Sequence, residues 1–356
     1  PIPNGKFKLN LKYFLHTTKG VATTWNDCSP TVGRIYSEYM EKRLGPARKD
    51  NQEITQRHKD LAASLQAVTE EIYLHVLREA QQVTKQKNLA LAGGVAFNSV
   101  ANGKILANTD FEHIYIQSAA GDAGTALGSA SYVQNSILNN KRRFVMSSSY
   151  WGPSYSDKEI EDALIQNEIA FRKFSDSDLF HTVATAISEG KIIGWFQGRV
   201  EWGPRALGNR SILVDPRRPD MPSILNDRIK RRENFRPFAP SILLENTSDY
   251  FEQSYPDPFM LKVYKIKEEK RSLIPAVTHV DGTGRLQTVS KDDNHRYWSL
   301  IKAFSEITGI PVLLNTSFNE NEPIVCTPNE AIACFQRAHM DMLVAGNYVA
   351  ELESNL

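Results

Sequence analysis

No charge of one sign dominates these 356 residues: 42 Lys and Arg stand against 41 Asp and Glu, a formal net charge of +1. That balance supplies no global field to recruit nucleic acid or an acidic membrane surface, so any anion site must arise from local clustering. Cysteine is scarce. Cys28, Cys326 and Cys334 form neither a CxxC nor a Cys/His metal spacing, and an odd, unframed count suits a reducing compartment, so the expected location is the cytoplasm. There is no apolar run of membrane-spanning length and no charged-then-apolar leader, which argues against a membrane partner. No two histidines lie four apart and no Ser/His/Asp order stands out, which excludes a complete helix-borne metal site and gives no sign of a nucleophilic triad.

What is present can bury cores: 41% of residues are hydrophobic and 23% charged, and the length suits about two domains. Leu61, Leu65, Val68, Ile72, Val76 and Val83 recur every three or four residues, or seven, with no Pro or Gly between 55 and 87. This spacing predicts a long amphipathic helix packed on a sheet. Next come a short strand (89–92), the Gly93-Gly94 break and a helix-compatible stretch with Asn98 and Asn102. The pattern repeats at 111–117, followed by Gly121, Gly124 and Gly128, so this half is α/β. The run NNKRRFVMSSSYWGPSY reads as a linker, dividing the chain into 1–145 and 146–356. Beyond it, helices are expected at 157–167, opened by a Ser156/Glu159 capping box, and at 178–189, with a buried strand at 191–196 and a helix at 298–309. The opening PIPNGKFKLN, which lacks an initiator Met, resembles a turn leading into a strand in mid-domain. Either an upstream portion is missing, or maturation or an unusual start accounts for the opening.

Four stretches carry chemistry. In GDAG, Asp122 either caps the following helix or holds a cation, and the paired turn at Gly93-Gly94 favours a nucleotide crevice. In QGRVEWGPRALGNRSI, Arg199, Arg205 and Arg210 stand among glycines and apolar residues with only Glu201 nearby, which reads as a polyphosphate clamp more than as a solvated loop. NDRIKRRENFRPFAPSIL adds Lys230, Arg231, Arg232 and Arg236, and NTSFNENEPI supplies Asn315, Ser317 and Asn319 after an apolar strand, as a polar turn or as contacts to a small polar ligand. In THVDGTGRLQTV, His279, Asp281 and Arg285 flank an Asp-Gly hairpin signal.

Taken in order, GKFKLNLKYF, AGGVAFNSVANGKI, GDAGTALGSA, YWGPSYSDKEI, QGRVEWGPRALGNRSIL, HVDGTGRLQTV and NTSFNENEPIV resemble the nodulation, cephamycin and tobramycin type of O-carbamoyltransferase over nearly the whole chain. The resemblance implies part of an ASKHA (actin and sugar-kinase-like) domain over 1–145, followed by a YrdC-like α/β domain with a twisted sheet over 146–356. It further implies that carbamoyl phosphate and ATP with Mg2+ form carbamoyl-adenylate, whose carbamoyl group passes to a hydroxyl of a small natural-product-type acceptor. The implied catalytic residues are Arg199, Arg205, Arg210, Lys230 and Arg236. The implied nucleotide and cofactor contacts are Gly93, Gly94, Asn98, Gly121, Gly124, Arg232, Ser317 and Asn319. Asp122 would be one ligand of Fe2+ or a similar divalent ion, whose other ligands, an HxxxH pair and a carboxylate, would lie on a missing N-terminal segment or a separate chain. A homo-oligomer is compatible with this reading. Two alternatives remain: an ASKHA sugar kinase, which would not need the arginine clusters, and an adenylate-forming or non-catalytic nucleotide-binding subunit acting with a partner chain.

Overall fold

Strands buried at every residue organise the larger part of the molecule. The computed structural model describes residues 1–26, 29–49, 52–143, 145–253 and 255–352, and its chain divides into two compact units, Pro1–Asn88 with Ile105–His113, and Leu89–Lys104 with Ile114–Leu356.

The first unit holds an antiparallel pair, β1 (Thr23–Asn26) and β2 (Ser29–Val32), and the expected long helix, Gln56–Thr84. Thr55 and His58 form a capping box at the helix start. The burial of this helix differs from expectation. Leu65, Val68, Val76 and Val83 are 38–73% exposed, whereas Leu74 and Leu77 are buried. At about 100° per residue, Leu74 lies half a turn from Leu65, and Leu77 half a turn from Val68. Among the described residues no sheet therefore covers these four positions of the stripe, while Leu61 and Ile72 are half-buried. Periodicity identifies a face that suits burial but not the element that covers it. Among the described residues of this unit, the buried apolar side chains are Leu74, Leu77, Ile105 and Phe111.

The second unit holds all but the first residue of each of β3 (Asn88–Leu91) and β4 (His113–Ile116), which pair with one another. A satellite core of Ala96, Ile116, Ala120, Leu207, Ala239 and Phe259 to Leu261 lies beneath this pair. The main sheet has eight strands: β5 (Arg172–Lys173), β6 (Ile193–Phe196), β7 (Arg210–Val214), β8 (Ala239–Leu243), β11 (Gln287–Val289), β12 (Val312–Ser317), β13 (Met342–Ala345) and β14 (Tyr348–Glu351), with β9 (Val263–Lys265) and β10 (Thr283–Arg285) forming a separate pair. Its spatial order is β11-β8-β12-β7-β6-β13-β14-β5. The β11/β8 and β13/β6 contacts are parallel and the others antiparallel, so the architecture is mixed α/β. Strands β6, β7, β8 and β13 are buried throughout, which requires cover on both faces. Two helix pairs supply it, Asp176–Ser188 with His295–Thr308, and Asp157–Gln166 with Pro328–Arg337. The Ser156/Glu159 capping box forms as expected.

Residue 145, where composition suggested a linker, lies inside this unit. Ser118 Oγ donates to the Trp202 carbonyl (2.6 Å) and Asn102 Nδ2 to the Leu261 carbonyl (2.9 Å), which ties the glycine-turn segment to the remainder. The Asp281-Gly282 turn also forms, with Gly282 N–H donating to the His279 carbonyl (2.9 Å). Its flanks do not continue as a hairpin, because β10 pairs with β9 and β11 joins β8. A turn signal fixes the local reversal but leaves the distant strand partner open.

Candidate functional site: an arginine-lined cavity

The segment between β6 and β7 is organised by a buried carboxylate. Glu201 Oε1 accepts the backbone N–H groups of Leu207 (2.7 Å), Asn209 (2.7 Å) and Arg210 (3.2 Å), folding the GPRALGN loop around itself. Gly208 has φ +105°, and a Cβ there would fall 2.1 Å from a Tyr297 ring carbon, so only glycine suits the loop. The three arginines of this stretch have different roles.

Arg210 is fully buried and stacked 3.7 Å over the Phe196 ring, and it donates to the carbonyls of Gln197 (2.6 Å), Asn209 (2.9 Å) and Gly198 (3.2 Å). Burial pushes its guanidinium down to about 10, opposed by Glu201. Arg199 is exposed and donates to the carbonyls of Gly152 (3.0 Å) and Trp151 (3.1 Å). Both hold backbone, and neither lines the cavity. Arg205 does line it, with a buried Nε that has no hydrogen-bond partner among the described residues and a guanidinium lowered by burial.

The cavity, of about 270 Å³, is walled by Arg205, Arg232, Arg236 and Arg285 together with Phe238, Asn315 and Ser317, and among the described residues no carboxylate is in its lining. A neighbouring, more open cavity of about 720 Å³ shares Arg232, Arg236 and Ser317 and adds Lys230, Arg231 and Asn319, with Asp227, Glu233 and Glu320 at its edge. Asn226 sets the shared wall. Its Oδ1 accepts from Arg232 Nε (2.7 Å) and its Nδ2 donates to the Arg236 carbonyl (3.1 Å). Arg236 also pairs with Glu233 at 2.9 Å, and Arg231 with Glu320 at 2.9 Å.

Lys230 is buried, with its Nζ donating to the carbonyls of Ser317 (2.6 Å) and Asn319 (2.7 Å) and to Asn319 Oδ1 (2.7 Å) and Ser317 Oγ (3.1 Å). It fixes the turn that follows β12. Burial, aided by Arg232, lowers its amine to about 7. Arg232 is itself lowered by burial and by Arg236. Burial, then Arg205 and Arg232, push Arg285, the next residue after Gly284, down to about 9, and its Nε has no partner among the described residues. A bound anion would offset the burial and mutual repulsion of Arg205, Arg232 and Arg285, since crowded guanidinium groups favour phosphate or carboxylate.

The structure thus gathers Arg205, Lys230, Arg232, Arg236, Ser317 and Asn319 at adjoining cavities, and leaves Arg199 and Arg210 outside. Sequence reasoning did not assign Arg285 to the site. Its signal was the flanking glycine, the same context that marked Arg205. The glycine turns do meet: Gly93 N–H donates to the Ala120 carbonyl (2.7 Å). Gly93 and Gly94 face open space, whereas a Cβ on Gly121 would strike Phe97 (2.7 Å) and one on Gly124 the Ala119 carbonyl (2.1 Å), so those two are needed for packing. Asn98 caps the helix Ser99–Gly103 through Ala101 N–H (3.1 Å).

Asp122 is exposed, and among the described residues no three His, Cys, Asp or Glu side chains gather as a metal-holding group. The residues present do not fit a divalent ion. Cys326 and Cys334 are free, and Cys28 lies outside the described residues. No described helix is long and apolar enough to cross a membrane.

Comparison with known proteins supplies the family. Residues 7–131 match the family model "Carbamoyltransferase N-terminus" and residues 184–351 match "Carbamoyltransferase C-terminus". An uncharacterized protein of Synechocystis is 43% identical, covering 97% of this chain and 59% of that protein. Nodulation protein NolNO of Sinorhizobium fredii is 46% identical over 88% of this chain and 48% of its own length, and nodulation protein NolO of Bradyrhizobium diazoefficiens 43% identical over 86% and 58%. The chain spans about half the length of these relatives. A crystal structure of full-length HypF aligns with TM-score 0.33 and 20% identity over 50% of this chain and 22% of that one, too slight a likeness to bear on fold or function. Both family models match in order, the arginine cavity lies within the second, and the chain belongs to the carbamoyltransferase family.

Proposed function

We propose that this chain serves ATP-dependent O-carbamoyl transfer, and that its arginine cavities are where carbamoyl phosphate and ATP become carbamoyl-adenylate, with one water consumed and phosphate and pyrophosphate released. The observation that carries this reading is the carboxylate-free cavity lined by Arg205, Arg232, Arg236 and Arg285, inside the segment matched by the C-terminal family model. In this reading Arg205 and Arg285 neutralise the phosphoryl group of carbamoyl phosphate, while Arg232 and Arg236, shared between the cavities, face both substrates. Lys230 holds Ser317 and Asn319 at the reacting end. Such positioning of charge in a site partly closed to water is the main contribution a protein makes to phosphoryl and nucleotidyl transfer.

The 146–356 segment would then be the YrdC-like adenylating part, and the open backbone at Gly93-Gly94, beside Gly121 and Gly124, would take the adenylate before transfer to a small-molecule hydroxyl. No step of this reading runs through a metal. The test is exchange of labelled pyrophosphate into ATP. The chain should support exchange only when carbamoyl phosphate is present, and Arg205→Ala or Lys230→Ala should abolish it while far-UV circular dichroism stays unchanged. Folded protein without exchange would sink the proposal and favour a nucleotide-binding subunit that performs no chemistry.

A further inference from the structure

The turn before β10 carries a histidine that the proposed reaction leaves unused. His279 Nδ1 lies 3.0 Å from Thr283 Oγ1, and Thr283 Oγ1 donates to Asp281 Oδ1 at 2.7 Å. A carboxylate only accepts and a hydroxyl has one hydrogen, so Thr283 has nothing left to donate and His279 Nδ1 carries the proton between them. Burial, opposed by Asp281 and aided by Arg285, lowers the imidazole below its ordinary range, so the ring is neutral and Nε2 is a bare acceptor. That Nε2 is buried and has no hydrogen-bond partner among the described residues.

Thr283 and Arg285 stand two apart in β10 and so share one face of the strand. On the other face, Ile266 and Pro240 close in on Gly284. The imidazole, held on Thr283, therefore lies on the face of Arg285, whose side chain lines the arginine cavity. Arg285 Nε is likewise buried with no partner among the described residues. One strand face thus holds an orphaned donor and an orphaned acceptor, and leaving either unpaired is costly.

We infer that His279 is a positioning residue for Arg285: its Nε2 accepts the Nε–H of Arg285 when an anion occupies the cavity, which leaves the two Nη groups for that anion. This rests on the proposed reading of the cavity as a phosphate-binding site. A guanidinium is a planar fork, so fixing Nε fixes the plane of the remaining donors. A carboxylate in the place of His279 would hold Arg285 too, but it would compete with the anion. A neutral imidazole holds the group, which Arg205 and Arg232 repel, without adding negative charge.

A double-mutant cycle on the full chain tests this, with inorganic phosphate as the probe in titration calorimetry. His279→Phe keeps an aromatic ring but removes the acceptor, and should weaken phosphate binding by about 5- to 20-fold. In an Arg285→Ala background the same change should alter affinity by less than about twofold, because the group it acts through is gone. His279→Gln, which returns an acceptor near the Nε2 position, should restore most of the wild-type affinity. Equal losses in both backgrounds, or a folded Phe variant with wild-type affinity, overturn the inference and leave the cavity reading standing, as does a folded Gln variant no better than Phe. A wild type that binds no phosphate overturns the cavity reading and this inference together. If His279→Phe does not fold, NMR of the imidazole nitrogens decides: Nδ1 should carry the proton, and phosphate should shift the Nε2 resonance in the wild type but not in Arg285→Ala. A proton on Nε2, or an Nε2 resonance that ignores bound phosphate, overturns the role of His279.

Discussion

The glycine turns at 93–124 and the arginine cavity both hold polar groups on the second unit, yet they use them differently. At the turns, most such groups are satisfied internally: Asn98 caps a helix, Asn102 donates to two carbonyls, Gly93 N–H meets the Ala120 carbonyl, and Gly121 and Gly124 make room for Phe97 and the Ala119 carbonyl. At the cavity, Arg205 Nε, Arg285 Nε and Asn315 Oδ1 are buried without partners among the described residues, and guanidinium groups crowd one another. A motif whose residues are accounted for by their neighbours needs no ligand to explain it. Several buried donors left uncompensated around one cavity, as with Arg205 and Arg285, are better explained by a ligand.

The sharpest test of this contrast sets Arg210 against Arg285. Arg210→Ala strips the donors from two buried carbonyls and a third nearer the surface and removes a stacked side chain from the core, and should cost about 3–5 kcal/mol in urea unfolding. A loss near zero would move Arg210 back among the ligand-binding arginines. For Arg285→Ala, stability should hold or rise as repulsion from Arg205 and Arg232 is relieved, while phosphate affinity falls by about 1.5–3 kcal/mol, read by calorimetry. Unchanged phosphate binding would break the contrast. Within the turns, Gly124→Ala should destabilise by about 1–3 kcal/mol because its Cβ meets the Ala119 carbonyl, whereas Gly94→Ala, facing open space, should change stability by less than about 1 kcal/mol. Equal effects would show that the two glycine pairs do not differ as described.

Local features were legible in the sequence where they depend on neighbours along the chain. The Ser156/Glu159 capping box, the long helix and the 193–196 strand are of this kind, since caps, periodicity and apolar runs act over a few residues. The glycine turns were expected side by side, and Gly93 does bond to Ala120. What could not be read was which arginine meets which group. Arg205 and Arg210 sit five residues apart in similar surroundings, but the loop around Glu201 turns one toward the cavity and the other into three carbonyls. Arg285 was seen as part of a turn and not as a site residue, because the neighbours that strain it, Arg205 and Arg232, are 80 and 53 residues away in sequence. The outward apolar face of the Gln56–Thr84 helix is the same lesson in packing: amphipathicity is local, and its partner is not.

Lys230 gives the finest test, because it belongs to both sides of the comparison. Its ammonium is satisfied by four oxygens, as at the turns, yet it lines a cavity among arginines. Burial lowers its folded pKa to about 7, below the unfolded lysine value of about 10.4. Between these values the unfolded chain binds more protons than the folded one, so stability contributed by this site rises as pH increases from about 7 to about 10. The four oxygens favour the charged form and limit the gain, which should be about 1–2 kcal/mol. Urea unfolding of wild type and Lys230→Met across pH 6.5–10 should therefore show the wild type gaining on the variant as pH rises. Parallel pH profiles would mean that the oxygens outweigh burial and that Lys230 stays charged throughout, which would place it with the internally satisfied groups of the turns and leave the cavity's uncompensated charge to Arg205 and Arg285.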